Sequence, residues 1–177
     1  MLLSGGIDSA AALALTRDSG APTSAFFVDY GQASAAREAQ ASASLAAHYS
    51  VPLKTLRCSG LSFGSGEIRG RNAFLAHAAL MAFPNDAGVV VIGIHDGTGY
   101  RDCSSDFASL VQRSFDFHTG GRIALATPFI GHFKGDVFNI AVKLGVPLEL
   151  TYSCEAGVTP CGECLSCRDR EILFART

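Results

Sequence analysis

Residues 2–13 read LLSGGIDSAAAL. Two leucines, a Ser-Gly-Gly turn and an alanine- and leucine-rich run describe a strand that stops, turns tightly and feeds a helix. Glycines permit such a turn and let a ligand come close to the backbone. The first N–H groups of a helix have no partner within it, and the helix dipole favours negative charge there. The segment is therefore an anion site in outline, with Ser4, Gly5 and Gly6 in the turn and the hydroxyls of Ser4 and Ser9 as added donors. Asp8 cannot bind phosphate itself; it either holds Mg²⁺ between phosphates or orders the loop by accepting backbone N–H bonds. The plain alternative is that Ser4 or Asp8 only caps the helix. The segment lacks the Lys of a Walker loop and the spacing of G-x-G-x-x-G. Its position favours the anion reading, because the first strand-to-helix turn of a doubly wound sheet is where nucleotides bind.

The alternation continues along the chain. TSAFFVDYG (23–31), VPLKTLRC (51–58), GVVVIGI (88–94) and RIALATP (122–128) have the short, β-branched or aromatic look of strands. Helices are expected at 7–16, 33–49, 71–83, 104–117 and 133–145; the fourth carries apolar residues at 107, 110, 111 and 115, one helical stripe. Pro84 is expected to stop the helix before it, and Gly145 to sit at the end of the last. This order predicts an α/β fold, a Rossmann-like, doubly wound and mostly parallel sheet with helices on both faces.

The bulk numbers agree with one compact unit. The chain has 177 residues, 48% of them hydrophobic and 17% charged, enough apolar material for a sizeable core. A net charge of −2 gives no general pull toward nucleic acid or an anionic membrane. No apolar run has the length of a membrane span, and no signal peptide is visible, so a cytoplasmic location is expected.

Four of the six cysteines, Cys154, Cys161, Cys164 and Cys167, crowd together near the end as Cys-x6-Cys-x2-Cys-x2-Cys. Disulfide frameworks spread their cysteines; a tight cluster reads as a metal site. Four thiolates favour tetrahedral Zn²⁺, with an iron–sulfur cluster or unpaired reduced thiols as the alternatives. A four-Cys site is coordinatively closed and therefore structural. The expected division is 1–150 for the nucleotide-binding part and 151–177 for a metal-binding segment packed on it.

SGGIDS resembles the pyrophosphate loop of the N-type ATP pyrophosphatases, which cleave ATP between its α and β phosphates and adenylate a substrate oxygen. Five further stretches follow: FVDYGQ (27–32) with Glu38, GRN (70–72), GIHDGTGYRDCSSDF (93–107), TPFIGHFKGD (127–136) and TYSCEAGVTPCGECLSCRDREILFA (151–175). In this order they resemble the 7-cyano-7-deazaguanine synthase family of the queuosine precursor pathway, over nearly the whole chain. The resemblance implies an ATP-dependent C–N ligase. It would take 7-carboxy-7-deazaguanine and ammonia to the nitrile through an adenylate and an amide, releasing AMP and pyrophosphate. It further implies ATP, Mg²⁺ and Zn²⁺, small-molecule substrates, no membrane or nucleic-acid partner, and a homodimer.

Carried onto this sequence, Asp8 and Lys134 are the catalytic candidates, with Lys134 on a phosphate. Ser4, Gly5, Gly6, Asp8, Ser9, Tyr30, Gln32, Arg71 and Asn72 are the nucleotide candidates; Arg71 and Asn72 sit where they also reach substrate. Asp96, Tyr100 and Asp102, at the carboxyl end of the strongest strand, are assigned to the heterocycle. The bland alternatives are a solvated Lys134 and an Asx turn at Asp96. His95 reads as a loop residue and His77 as a helix-face residue, neither a catalytic base. Cys103 reads as a buried small residue rather than a nucleophile.

Four features depart from the family pattern. The first strand is short, from a shortened sheet or a start lying upstream. The stretch 59–70 is short. Pro-Asp-Cys-Arg becomes Arg101-Asp102-Cys103-Ser104, and YGQAS lacks a basic residue after Gln32. They leave open a relative that stops at the amide or joins the acid to another amine. A tRNA-modifying pyrophosphatase is the other class, against which 14 Lys+Arg facing 16 Asp+Glu speaks.

Overall fold

The computed structural model describes residues 1–83 and 86–175. In chain order its elements are α1 (Ile7–Asp18), β1 (Ala25–Asp29), α2 (Ala35–His48), β2 (Leu53–Arg57) and α3 (Arg71–Met81). There follow β3 (Gly88–Val91), α4 (Ser105–Thr119), β4 (Ile123–Ala126), α5 (Lys134–Lys143) and α6 (Leu165–Phe174). Pro84, the expected stop for α3, lies outside the described residues.

β1 pairs in parallel with β2, and β3 with β4. Residues 1–3 join the two pairs. Leu2 N donates to Val91 O and Leu3 N to Phe26 O, while Phe26 N donates to Met1 O. The order across the sheet is therefore β2, β1, residues 1–3, β3, β4, with every pairing parallel. The central strand is a bridge rather than a full strand, because Ser4 and Gly5 already turn away from it.

Side chains alternate across this sheet with a period of two residues. Leu2, Val28, Val90, Ile92 and Ile94 face α3 and α4, where Ala76, Ala79, Val111 and Phe115 cover them. Leu3, Ala25 and Val91 face the other way, against α1, α5 and Leu45 of α2. The first half of α1 is enclosed on all sides: Ala10, Ala11, Ala12 and Leu13 are each 0% exposed, while Leu15, Arg17 and Asp18 reach solvent. Its alanines leave room for β-strands and α5 to approach closely, and a helix apolar all round belongs inside. Truncating Leu13 there removes contacts on every side, at a cost of about 2–5 kcal/mol.

Two helix ends show how the sequence sets boundaries. Ser104 Oγ accepts from Phe107 N at 3.2 Å and starts α4. Gly145, with φ +65°, follows the last residues of α5 in the left-handed conformation expected of it.

Candidate functional site

The turn after Leu3 is made by packing against its neighbours. Gly5 has φ +82°, and a Cβ there would lie 2.7 Å from Ala41 Cβ and 2.9 Å from Glu38 O. Only glycine fits. Gly6 is the N-cap of α1, and no side chain caps the helix. Instead Ser9 Oγ donates back to Gly6 O (3.0 Å), and Ser4 Oγ lies 3.1 Å from Ser9 Oγ. The two hydroxyls thus stand together at the mouth of the turn. At Gly93, just past β3, a Cβ would lie 2.9 Å from Asp8 O, so the strand end runs tight against the first turn of α1.

Asp8 makes an ion pair rather than a cap. Lys134 Nζ, at the first residue of α5, donates to both carboxylate oxygens at 2.7 Å. Both side chains are about a quarter exposed, 27% for Lys134 and 24% for Asp8, so the pair is open to a competing anion. His95 Nε2 stands 3.7 Å from Asp8 Oδ2. Its Nδ1 lies 2.6 Å from Asp96 O. A carbonyl only accepts, so Nδ1 carries the proton and Nε2 is the nitrogen turned toward Asp8. Sequence reading left His95 as a loop residue. The available signal was its place directly beyond the strongest strand, where it bridges to Phe129.

A second group gathers beyond β1 and β3. Gln32 is buried and its amide is engaged inside its own turn: Oε1 accepts from Tyr30 N at 2.9 Å, while Nε2 donates to Val28 O at 3.3 Å and to Glu38 Oε2 at 2.8 Å. Ser34 Oγ donates to the other Glu38 oxygen at 2.7 Å. Burial raises the Glu38 carboxyl above its ordinary range, ahead of the lowering by these two donors. The result is a rigid turn that presents Tyr30. The Tyr30 ring packs on Phe63, centroids 6.0 Å apart, and burial raises its hydroxyl, with the charge of Arg71 lowering it in part.

Arg71 and Asn72 open α3. Asn72, 3% exposed, donates through Nδ2 to Asp102 O at 3.0 Å, and its Nδ2 lies 3.7 Å from Cys103 Sγ. Asn72 N donates to Asp102 Oδ2 at 3.4 Å, and Arg71 Nε to Asn72 Oδ1 at 3.3 Å. Asp102 therefore sits over the start of α3 within a short 3₁₀ turn, Arg101–Cys103. Cys103 is buried, and burial raises its thiol, so a thiolate is disfavoured there. Tyr100 is half-buried in the same loop, with its hydroxyl raised by burial and by the charge of Glu155. Asp96 gives its carbonyl to His95.

The four cysteines form the third part. Their sulfurs all lie within 4.8 Å of one another, and Cys161 and Cys167 are 3.9 Å apart. A tetrahedron of thiolates about 2.3 Å from a central ion has S–S edges of about 3.8 Å, so the donor set fits Zn²⁺ in both chemistry and size. Burial works against ionisation of Cys154, but N–H groups of Cys161 and Ala156 and the adjoining thiols outweigh it and lower Cys154 to about 6. The N–H groups of Cys164 and Glu163 lower Cys161. Cys167 is pushed up to about 12, by burial first and then by its three neighbours. The segment is tied back to the phosphate turn: Tyr152 N donates to Gly5 O at 2.9 Å, and Arg37 stacks over the Tyr152 ring at 5.3 Å. Arg170 Nη1 donates to Thr151 Oγ1 at 2.7 Å and Nη2 to Leu148 O at 3.1 Å, fixing α6.

The candidate residues thus gather in two groups, Ser4–Ser9–Asp8–Lys134–His95 and Tyr30–Arg71–Asn72–Tyr100–Asp102, in the turns that follow residues 1–3, β1 and β3 and at the starts of α1, α3 and α5. Among the described residues no helix is long and apolar enough to cross a membrane.

The 7-cyano-7-deazaguanine synthase of Sulfurihydrogenibium sp. is 34% identical over 208 residues, covering 100% of this chain and 94% of that protein. The enzyme of the same name from Persephonella marina is 35% identical, covering 98% and 90%. A solved structure, NMN synthetase from Francisella tularensis, superposes with a TM-score of 0.46 at 17% identity, over 99% of this chain and 74% of that one, too loosely to carry weight. The model of the family described as queuosine biosynthesis protein QueC matches residues 1–67 and 66–177. By that match and by these relatives, the chain belongs to the QueC family of queuosine biosynthesis proteins.

Proposed function

We propose that the chain converts 7-carboxy-7-deazaguanine and ammonia to 7-cyano-7-deazaguanine, using two molecules of ATP. One observation carries the reading: at the mouth of the Ser-Gly-Gly turn Lys134 Nζ holds both oxygens of Asp8, a partly exposed cation and carboxylate placed where a nucleotide phosphate would dock. In the first half, a carboxylate oxygen of the acid attacks the α-phosphorus of ATP, and pyrophosphate leaves into the turn made by Ser4, Gly5, Gly6 and Ser9. Ammonia then adds to the activated carbonyl, and AMP leaves with the former carboxylate oxygen, giving the amide. In the second half, the amide oxygen attacks the α-phosphorus of a second ATP, and pyrophosphate again leaves. Loss of AMP and the remaining amide protons forms the C≡N bond.

The residues act by position and charge. Lys134 exchanges its contact with Asp8 for one with phosphate oxygens. Asp8, released from Lys134, is a hard oxygen ligand suited to Mg²⁺, which supplies charge screening between phosphates when bound. Gln32 shapes the turn that presents Tyr30 to the nucleoside, and Arg71 and Asn72 border nucleotide and substrate. Tyr100 and Asp102 hold the heterocycle, with Asp96 bracing their loop through His95. We take 1–150 as the nucleotide-binding unit and 151–177 as a Zn²⁺-stabilised segment folded onto it. A homodimer in the cytoplasm completes the proposal and is checked by light scattering and fractionation.

The test is direct. The protein is incubated with ATP and the acid, with and without ammonia, while AMP and product mass are followed. A nitrile supports the reading. An amide, or a conjugate with another amine, supports the divergent relative favoured by Arg101-Asp102-Cys103-Ser104. AMP formed only with tRNA sinks both.

A further inference from the structure

We infer that the ring of Phe133 is the platform on which the flat heterocyclic acid stacks; this rests on the reaction proposed above. The placement follows from a closed circuit of contacts around the mouth of the phosphate turn. Lys134 Nζ holds both oxygens of Asp8 at 2.7 Å. Phe133 directly precedes Lys134. A Cβ on Gly97, whose φ is +89°, would lie 2.9 Å from Phe133 Cδ1 and 3.6 Å from Cε1, so the ring rests against the bare backbone of that glycine. Gly97 follows Asp96, whose carbonyl accepts from His95 Nδ1 at 2.6 Å, and His95 Nε2 returns to Asp8 Oδ2 at 3.7 Å. Of the side chains in this circuit Phe133 alone has no polar atom, and it is 65% exposed.

A phenyl ring is also ill suited to its place in the helix. Phe133 is the N-cap of α5, where Ser, Thr, Asp or Asn would accept from a free N–H of the first turn. Asp136 Oδ2 accepts from Phe133 N at 2.9 Å, but the ring has no acceptor to return. A single exposed apolar residue is ordinary on a surface. This one displaces a cap, borders the Asp8–Lys134 pair and leans on the loop that carries Asp96 and Tyr100.

The chemistry of the proposed step selects the occupant. The carboxylate of the acid is bonded directly to its ring system, and one of its oxygens attacks the α-phosphorus. The heterocycle therefore comes close to the phosphates, whereas the ribose holds adenine away from them. A ring beside the phosphate pair meets the face of the acid, and Tyr30, beyond β1, is left for the nucleoside. Stacking reads flatness only, and so complements the polar contacts assigned to Tyr100 and Asp102.

The chain has no tryptophan, so Phe133→Trp sets a single indole at the platform. Its emission, excited where tyrosine does not absorb, is followed in the metal-loaded protein as α,β-methylene-ATP, which cannot release pyrophosphate, and then the acid are added. The expected result is quenching that saturates with the acid, with little change on the analogue alone. In parallel, steady-state AMP release by Phe133→Asn is measured, varying acid and ATP separately. Asn is a favoured cap, so this variant should melt no lower than wild type. Its KM for the acid should rise about tenfold, with KM for ATP and kcat within about threefold. Phe133→Trp should keep the KM for the acid near that of wild type. Absence of quenching by the acid, or quenching by the analogue alone, overturns the inference, and so does an unchanged KM for the acid in Phe133→Asn. If Phe133→Asn does not fold, Phe133→Leu, which stays apolar and loses the flat face, decides by the same KM. Each of these outcomes leaves the reaction intact. Wild-type protein that makes no AMP with the acid overturns the reaction itself, and this inference with it.

Discussion

The phosphate turn and the cysteine segment are two ways of holding a loop still. The turn is preorganised by backbone and packing: residues Ala10–Ala14 of α1 behind it are buried, and Gly5 is pressed between α2 and Tyr152. The cysteine segment has little such support. Cys161 is exposed and Gly162 has open space around its Cα. One loop is shaped by the fold, whereas the other gathers four sulfurs that fit an ion able to shape it. The backbone bond from Tyr152 N to Gly5 O ties the two together.

The contrast can be broken in several ways. The largest effect is expected at Asp8. Asp8→Ala should lower AMP release by about a thousandfold, leaving the metal content and the circular dichroism spectrum unchanged; lost metal would show that Asp8 supports the fold instead. Next is metal removal. Stripping the ion should raise hydrogen exchange through the segment 151–175 and at the Tyr152 amide, while the amides of Ala10–Ala14 stay protected. Loss of protection in α1 would mean that the two regions form one cooperative unit.

The comparison is sharpened by two glycines of nearly equal conformation. Gly5 has φ +82° and Gly162 φ +75°, but only Gly5 has neighbours within reach of a Cβ. Gly162→Ala should cost about 1 kcal/mol, the left-handed penalty alone. Gly5→Ala should cost at least about 2 kcal/mol more, since backbone and Ala41 must move. Urea denaturation of the metal-loaded protein measures both, and equal values would show that packing around the turn is loose.

The smallest effect has the opposite sign. Burial raises Glu38 above its unfolded value, so the folded chain keeps this proton to higher pH than the unfolded chain does. Stability is then full below the ordinary carboxylate range and falls as pH rises through the interval up to the raised folded value. Glu38→Gln should remove that slope and stabilise the protein at neutral pH, by on the order of 1 kcal/mol. A destabilised variant would mean that the bonds from Ser34 and Gln32 outweigh the burial.

The strands and helices were legible because their periods differ; Gly145 stands where expected, and Ser104, the first residue of the expected helix 104–117, is its cap. The family was legible from SGGIDS and the cysteine spacing, each a pattern whose chemistry needs those residues. What could not be read was how separate stretches meet. Nothing near Asp8 in sequence announces that Lys134 will take both its oxygens, or that His95 will face it. Gln32 has the same limit: its amide pairs with Glu38, which sequence placed nearby without saying what it bonds.

The narrow bridge at residues 1–3 bears on how the chain reaches this state. Leu2 closes the middle of the sheet with Val91, across half the sequence, and only a few backbone bonds hold that seam. Each flank is assembled from closer stretches, so we expect the flanks to form first and the seam to zip shut last. Leu3→Ala should then hasten unfolding and leave the refolding rate nearly untouched in stopped-flow measurements.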